Sequence, residues 1–179
     1  GFARVCRRWV ALFCSVEMVS SWKDSLTSAG LDYVRTAAWR KIGGTPQFSG
    51  DRPAVAFEAI VIAHRKGRKR WNSGGKHGWY EHPIVLKRGN GEQRIHTTQQ
   101  PLALMEELIA DFTDSGDLIL DPFAGSGTTA IAALMLGRRF VGWERDDNYH
   151  AIATRRLSGD EAKPRLEQPN LFDAIGGAS

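Results

Sequence analysis

Two acidic residues and a glycine-rich turn form the part of the sequence best suited to bind a small molecule. Asp121 ends a short apolar stretch, and Gly-Ser-Gly at 125–127 directly precedes a predicted helix that opens at Thr128. Glycines are needed where a backbone turns sharply close to a ligand, and free N–H groups at a helix start favour an anion. Glu144 ends the next predicted strand, where an acid can accept hydrogen bonds from ribose hydroxyls. The pattern indicates a nucleoside-binding unit.

Three interpretations of this unit remain open. The first is a site for a nucleoside-type methyl donor. The second is a dinucleotide site, because residues 125–130 also fit the fingerprint G-x-G-x-x-A. The third is a glycine turn that only packs a helix on a sheet. The methyl donor is favoured because Asp121-Pro122-Phe123 separates the strand from the glycines, and no Gly-Lys-Ser/Thr follows to make a P-loop.

The elements that must position this unit alternate along the chain. Apolar runs predict strands, and apolar spacing of three and four predicts helices. We predict strands at 9–15, 33–39, 56–63, 117–122 and 140–144, and helices at 16–29, 102–112, 128–136 and 148–157. This alternation predicts an α/β fold with a doubly wound, mostly parallel sheet, interrupted by an irregular insertion at 64–95.

Composition limits the class of protein. The 179 residues are 42% hydrophobic and 25% charged with net charge +4, which suits one globular domain. No apolar run approaches the roughly 18 residues of a membrane span. Cys6 and Cys14 form no disulfide framework and no metal-ligand spacing, so we expect packed thiols. The chain begins at Gly1 and not at Met, from which we expect an incomplete N-terminus.

A basic segment follows the third predicted strand. Five of the six residues at 65–70 are basic, and aromatic residues follow at Trp71, Trp79 and Tyr80. Cations neutralise phosphates and planar groups stack on unpaired bases, so this pattern favours DNA contact over a solvated loop. The predicted DNA-binding residues are Arg65, Lys66, Arg68, Lys69, Arg70, Trp71, Lys76 and His77. The nearby histidines lack partners at metal-ligand spacing, so no metal site is predicted.

Several motifs resemble those of one enzyme family. Residues 121–129, DPFAGSGTT, resemble the cofactor motif of the DNA methyltransferases that modify exocyclic amino groups, N6 of adenine or N4 of cytosine. Residues 96–101, HTTQQP, resemble the family's His-Pro-Thr-Gln-Lys-Pro element but depart from it at Thr97 and Gln100. Residues 140–144, FVGWE, resemble the next motif, and 39–41 and 51–58 resemble segments that precede the target-recognition region. The resemblance covers most of residues 9–157.

This resemblance implies a Rossmann-like fold, S-adenosylmethionine as cofactor, and double-stranded DNA with a flipped target base as partner. Methyl transfer to the amino nitrogen is direct in this family, so no covalent intermediate is implied. A bacterial or phage-encoded cytoplasmic protein is expected. The cofactor-binding residues implied are His96, Thr97, Thr98, Gln99, Asp121, Pro122, Phe123, Ala124, Gly125, Ser126, Gly127, Thr128, Glu144 and Arg145.

The order of the motifs resembles the permuted arrangement in which the catalytic half comes first. Such enzymes carry an Asp/Asn/Ser-Pro-Pro-Tyr/Phe tetrapeptide, yet no two prolines are adjacent here. We therefore expect that the catalytic strand lies upstream of Gly1, that this chain has no catalytic residue of its own, and that it does not methylate DNA alone. The predicted parts are a partial catalytic-side half at 1–63, a target-recognition insertion at 64–95, a donor-binding half at 96–157 and a flexible tail at 158–179. The alternatives are an inactive nucleic-acid-binding relative and an RNA methyltransferase.

The tail carries one further motif. Gln168-Pro-Asn-Leu171-Phe172 resembles the short peptide by which bacterial replication enzymes dock on the sliding clamp. A glutamine and two apolar side chains on a flexible segment can fill a groove on a partner. The alternative is that Leu171 and Phe172 fold back onto the domain.

Overall fold

The computed structural model describes residues 2–44, 46–85 and 99–159. Its larger sheet has four strands in the order β1-β3-β2-β4. The strands are β1 (Trp9–Cys14), β2 (Leu31–Ile42), β3 (Phe57–Arg65) and β4 (Trp79–Pro83). Strand β3 runs antiparallel to both β1 and β2, whereas β4 runs parallel to β2.

A second, smaller sheet pairs β5 (Leu118–Asp121) with β6 (Arg139–Gly142) in parallel. Four helices accompany the two sheets. They are α1 (Val19–Ser28), α2 (Leu102–Phe112), α3 (Thr128–Met135) and α4 (Asp147–Ser158). The crossover from β5 to β6 runs through α3, as a parallel pair requires.

The α/β fold with a mostly parallel sheet is confirmed, and among the described strands β3 is the one that runs against its neighbours. Two of the four observed pairings are parallel, and the two that involve β3 are antiparallel. The described residues of the loop at 43–56 form no helix between β2 and β3, and the two strands pair antiparallel. The predicted irregular insertion at 64–95 also contains a strand, β4, whose five residues WYEHP are too short and too polar to show a clear period.

Helix α2 covers one face of the larger sheet. Leu104, Leu108 and Phe112 are buried there against Trp39 and Tyr80, and the spacing by four places them on one helix face. The bounds predicted for this helix, 102–112, are those observed. The helix thus shares one core with the strands that precede it.

Ion pairs show which strand ends lie together. Arg8, just before β1, donates to Asp117 at 2.8 Å and to Asp114 at 3.3 Å, just before β5. Near the same place, the Phe112 ring at the end of α2 lies 5.2 Å from the ring of Trp9. Strands β1 and β5 therefore start at one end of the molecule, called here the far end. Strands β1, β2, β4 and β5 all point away from it, toward the end where Asp121 lies.

A buried polar network ties α2 to the segment before β4. The Asp111 carboxylate is 5% exposed and accepts hydrogen bonds from the Tyr80 hydroxyl at 2.9 Å, the Lys76 ammonium at 2.5 Å and the Ser73 hydroxyl. Lys76 also pairs with Glu107 at 2.7 Å. The network therefore holds α2 in place. Helix α2 directly follows the segment that approaches the glycine turn, so the position of that segment depends on the network as well.

Some expectations fall outside the described residues. His96, Thr97 and Thr98 lie there, as do Gln168, Leu171 and Phe172, so their predicted roles stay predictions. Over the described ranges, none of the helices is both long and apolar enough to cross a membrane. Among those same residues, His, Cys, Asp and Glu form no group able to hold a metal ion.

Candidate functional site

A cavity of about 250 Å³ opens where β5 ends and the glycine turn begins. Its walls come from the turn, from the start of α3, from the segment that leads into α2, and from the acid after β6. The lining residues are Gln99, Gln100, Met105, Asp121, Phe123, Ala124, Gly125, Ser126, Thr128, Thr129 and Glu144. The site thus gathers three separate stretches of the chain at the carboxyl ends of parallel strands, the usual place for a ligand in an α/β sheet.

Asp121 fixes the start of the turn. One of its carboxylate oxygens accepts from the Phe123 N–H at 2.9 Å, and the other accepts from the Thr129 hydroxyl at 2.7 Å. The carboxylate therefore bridges the end of β5 to the first turn of α3. An ionised carboxylate has about four acceptor positions, so Asp121 retains lone pairs that face the cavity.

Glu144 joins the two strand ends. Its Oε2 accepts from the Gly125 N–H at 2.8 Å, and its Oε1 accepts from the Asp146 N–H at 2.9 Å. The Asp146 N–H, together with that of Gly125, holds the pKa of the Glu144 carboxyl below its usual value. The group is thus ionised at neutral pH. Each oxygen keeps a second lone pair for a hydroxyl donor.

The glycine turn requires its glycines. Gly127 precedes α3 with φ +84°, and Gly125 has φ +54°, a region that residues with a Cβ rarely adopt. A Cβ added to Gly127 would lie 3.0 Å from the Cβ of Ala153 on α4. Helix α4 therefore packs directly against the turn at a point where only glycine fits.

We expect Gly127→Ala to destabilise the protein more than the same replacement at a glycine that has a similar positive φ but no steric contact. Gly116 has φ +81°, and a Cβ there would meet nothing within 4 Å, so Gly116→Ala is the matched control. The left-handed conformation costs roughly 1–2 kcal/mol in both variants, and the contact with Ala153 adds to the cost only at Gly127. Urea unfolding measures the difference, and equal losses would contradict the packing argument.

Arg156 supports the turn from below and was missed from the sequence. It is 6% exposed, and its guanidinium donates to the Ser126 carbonyl at 2.8 Å and to the Ser126 hydroxyl at 3.3 Å. A basic residue near the end of a helix is usually interpreted as a favourable partner of the helix dipole. Helix α4 has two such residues in its last turn, Arg155 and Arg156. Nothing in the local sequence shows that the second one is buried beneath a turn thirty residues earlier.

The predicted cofactor residues are only partly gathered at the cavity. Those that line it are Gln99, Asp121, Phe123, Ala124, Gly125, Ser126, Thr128 and Glu144. Pro122 and Gly127 shape the turn without lining the cavity, and Arg145 is exposed beside it. Three lining residues were not predicted: Gln100, Met105 and Thr129. Thr129 belongs to the motif itself, so its hydroxyl at a helix start was the available signal.

The predicted DNA-binding residues lie elsewhere. Lys69 pairs with Asp32 at the start of β2, and Arg70 pairs with Asp114 before β5, both at the far end. The basic run therefore sits at the opposite end of the sheet from the cavity. Position along the chain did not show this, because β3 runs against the direction of its neighbours.

Two further members of that set also have partners within the protein. The Trp71 ring packs 4.9 Å from the ring of Phe112, and its indole N–H donates to the Gly74 carbonyl. Lys76 pairs with Glu107 and with the buried Asp111. Trp71 and Lys76 thus have contacts within the protein, and DNA contact by them stays a prediction. Lys66, Arg68 and His77 are exposed, and DNA contact by them stays a prediction.

Comparisons with known proteins agree on one family. A family model for DNA methylases, N6_N4_Mtase, matches residues 9–155. The Type II methyltransferase M2.DpnII of Streptococcus pneumoniae is 30% identical over 163 residues, which are 82% of this chain and 59% of that protein. M2.LlaDCHI of Lactococcus lactis subsp. cremoris is 28% identical, over 80% of this chain and 58% of that protein.

Solved structures show the same likeness. The M1.HpyAVI–SAM complex superposes with a TM-score of 0.73 at 31% identity, over 84% of this chain and 74% of that one. The cytosine-N4-specific PvuII DNA methyltransferase, at 16% identity and a TM-score of 0.66 over 82% of this chain and 58% of that one, shares the fold.

The chain spans somewhat less than three fifths of the length of the two relatives named above. The family model nevertheless reaches from β1 into α4, and so includes the turn and both cavity acids. The chain therefore belongs to the DNA methyltransferase family that modifies the exocyclic amino groups of adenine or cytosine.

Proposed function

We propose that the cavity binds S-adenosylmethionine and that the chain is the donor-binding part of an amino-directed DNA methyltransferase. The observation that carries the proposal is the position of Glu144. Its carboxylate accepts hydrogen bonds from the backbone N–H groups of Gly125 and Asp146, is ionised at neutral pH, and keeps acceptor capacity for a ligand. That arrangement suits a ribose diol, whose two hydroxyls are donors.

The remaining groups suit the other parts of the donor. The carboxylate of Asp121 suits the methionyl ammonium, and the start of α3 suits the methionyl carboxylate. Phe123, which lines the cavity, is 83% exposed, and Trp143, the residue before Glu144 in the sequence, is 61% exposed. Exposed aromatic rings beside a polar cavity suit a planar base, which stacks on them.

When bound, the donor supplies an electrophilic methyl group on a sulfonium. The residues of this chain bind and orient it, and positioning of this kind lowers the barrier of a transfer between two bound reactants. Transfer itself would use the Pro-Pro-aromatic element, which residues 1–179 do not contain. The proposed function is therefore tested on this chain by donor binding and not by turnover.

Duplex DNA is the proposed partner, approaching from the cavity end. The loop at 43–56 follows β2 and precedes β3, so the strand directions place it at the end away from the far-end ion pairs. It presents Phe48, which is 86% exposed, and Arg52, also exposed. An exposed aromatic ring and a cation on one loop suit an extruded base and its phosphates.

The test is titration calorimetry of this chain with S-adenosylhomocysteine and, separately, with NAD. We expect saturable binding of one S-adenosylhomocysteine per chain and no heat with NAD, because the cavity offers acceptors for one nucleoside. Preferential binding of NAD would favour a dinucleotide site, and no binding of either would leave the turn as a packing feature. Either outcome would refute the proposal.

A further inference from the structure

A cluster of basic side chains at the far end is not used by the proposed donor site. Arg65 ends β3, and its guanidinium donates to the carbonyls of Ala3 at 3.1 Å and Cys6 at 3.5 Å. Its backbone N–H donates to the Arg8 carbonyl at 2.8 Å. The N-terminal segment therefore lies beside the basic run, and the two form one surface, called here the far-end patch. Its members are Arg4, Arg7, Arg8, Arg65, Lys66, Arg68, Lys69 and Arg70.

The far-end patch has an excess of positive charge. Its ion pairs use three carboxylates, those of Asp32, Asp114 and Asp117. Five of its cations have no carboxylate partner among the residues that the structure describes. Arg65 donates to backbone carbonyls, and the other four are Arg4, Arg7, Lys66 and Arg68. All five are exposed. Such a cluster repels itself and is stabilised by a polyanion that releases its own counterions on binding.

The described side chains of this surface suit phosphates. The half-buried Trp71, next to the run, packs against Phe112 and donates its N–H to a backbone carbonyl. The amide of Asn72 donates to the carbonyls of Ala110 and Thr113. Contacts of arginine and lysine with phosphates carry no sequence information directly.

The far-end patch is separated from the cavity end by the length of the sheet. Strand β2 has 12 residues, so its two ends lie about 36 Å apart at roughly 3.3 Å per residue. Lys69 pairs with Asp32 at its start, whereas the loop at 43–56 follows its last residue. Contacts at the two ends would therefore fall on phosphates about 36 Å apart or on two separate duplexes.

We propose that the far-end patch is a second, sequence-independent binding surface for the phosphate backbone of duplex DNA, separate from the surface that presents the target base. This inference rests on the proposed function, which brings the chain to DNA. A second surface of this kind keeps the protein on DNA while the cavity end is unoccupied, or holds two duplex segments at once.

The test is the double variant Lys66→Ala/Arg68→Ala, compared with Arg52→Ala at the cavity end. DNA affinity is measured by fluorescence anisotropy with a duplex of random sequence at several salt concentrations. We expect the double variant to bind about tenfold or more weakly and the slope of log K against log salt to fall by about 2, one unit per lost phosphate contact. Stoichiometric titration with short duplexes should fall from two per chain to one.

Measuring S-adenosylhomocysteine binding by the double variant distinguishes a failure of this inference from a failure of the proposed function. The double variant should bind S-adenosylhomocysteine as the wild type does and unfold at the same urea concentration, because both side chains are exposed. Unchanged affinity and salt slope would overturn the inference and leave the proposed function standing. Complete loss of DNA binding would also overturn it, because the far-end patch would then be the single DNA site.

Discussion

Replacing Glu144 by alanine is expected to weaken S-adenosylhomocysteine binding about hundredfold or more. The variant removes the ionised acceptor that we propose for both ribose hydroxyls, and hydrogen bonds to a charged group contribute about 1.5–3 kcal/mol each. It also frees the N–H groups of Gly125 and Asp146, which now hold the carboxylate in place. Titration calorimetry at neutral pH measures the change in Kd.

Two controls make this result specific to the carboxylate. Asp147→Ala removes an exposed acid from the first turn of α4, outside the cavity lining, and should leave Kd unchanged. Glu144→Gln keeps the shape and one acceptor oxygen, so its Kd should fall between the two. Since the pKa of Glu144 lies below its usual value, wild-type affinity should hold from neutral pH down to about pH 5 and decline only below that. A Glu144→Ala variant that binds within threefold of the wild type would refute the assignment.

Replacing Asp111 by alanine is expected to destabilise the fold by roughly 3–5 kcal/mol, the usual cost of removing one partner of a buried ion pair. Asp111 is 5% exposed and takes the Tyr80 hydroxyl and the Lys76 ammonium. Burial raises the pKa of Tyr80 well above its usual value, so that hydroxyl stays a donor and loses its acceptor in the variant. Urea unfolding followed by tryptophan fluorescence measures the loss.

Matched variants locate this effect in the buried network. Tyr80→Phe removes one hydrogen bond and should cost about 1 kcal/mol. Glu81→Ala breaks an ion pair with Arg40 in which both side chains are about half exposed, and it should not shift the unfolding midpoint. If Asp111→Ala unfolds at the same urea concentration as Glu81→Ala, the network does not hold α2 and the argument fails.

Local chemistry was enough to predict the glycine turn in outline. The strand, the glycines and the helix start follow each other within residues 118–135, and backbone geometry at Gly127 is decided by that stretch alone. Helix α2 was predicted to the residue because its apolar spacing repeats over the whole of 102–112. Both features depend on neighbours that are close in sequence, which is where a residue pattern carries information.

Features that depend on distant partners were not predictable in the same way. In sequence, the basic run at 65–70 is typical of a loop that contacts DNA. Strand β3 runs antiparallel to its neighbours, however, so the run lies at the far end. The Trp71 ring packs on Phe112, and Arg156, a cation near a helix end, lies buried under Ser126. Each of these contacts is made with a partner at least thirty residues away.

The sequence by itself therefore determined the turn and its two acids, because a left-handed backbone and a helix start are local consequences of glycine and of what surrounds it. Only the tertiary structure decided that the Glu144 carboxylate accepts a hydrogen bond from the Gly125 N–H, since that contact needs β5 and β6 side by side. It also decided that the positive charge at 65–70 faces away from the cavity. Strand direction sets which end of a sheet a loop occupies, and direction comes from pairing rather than from composition.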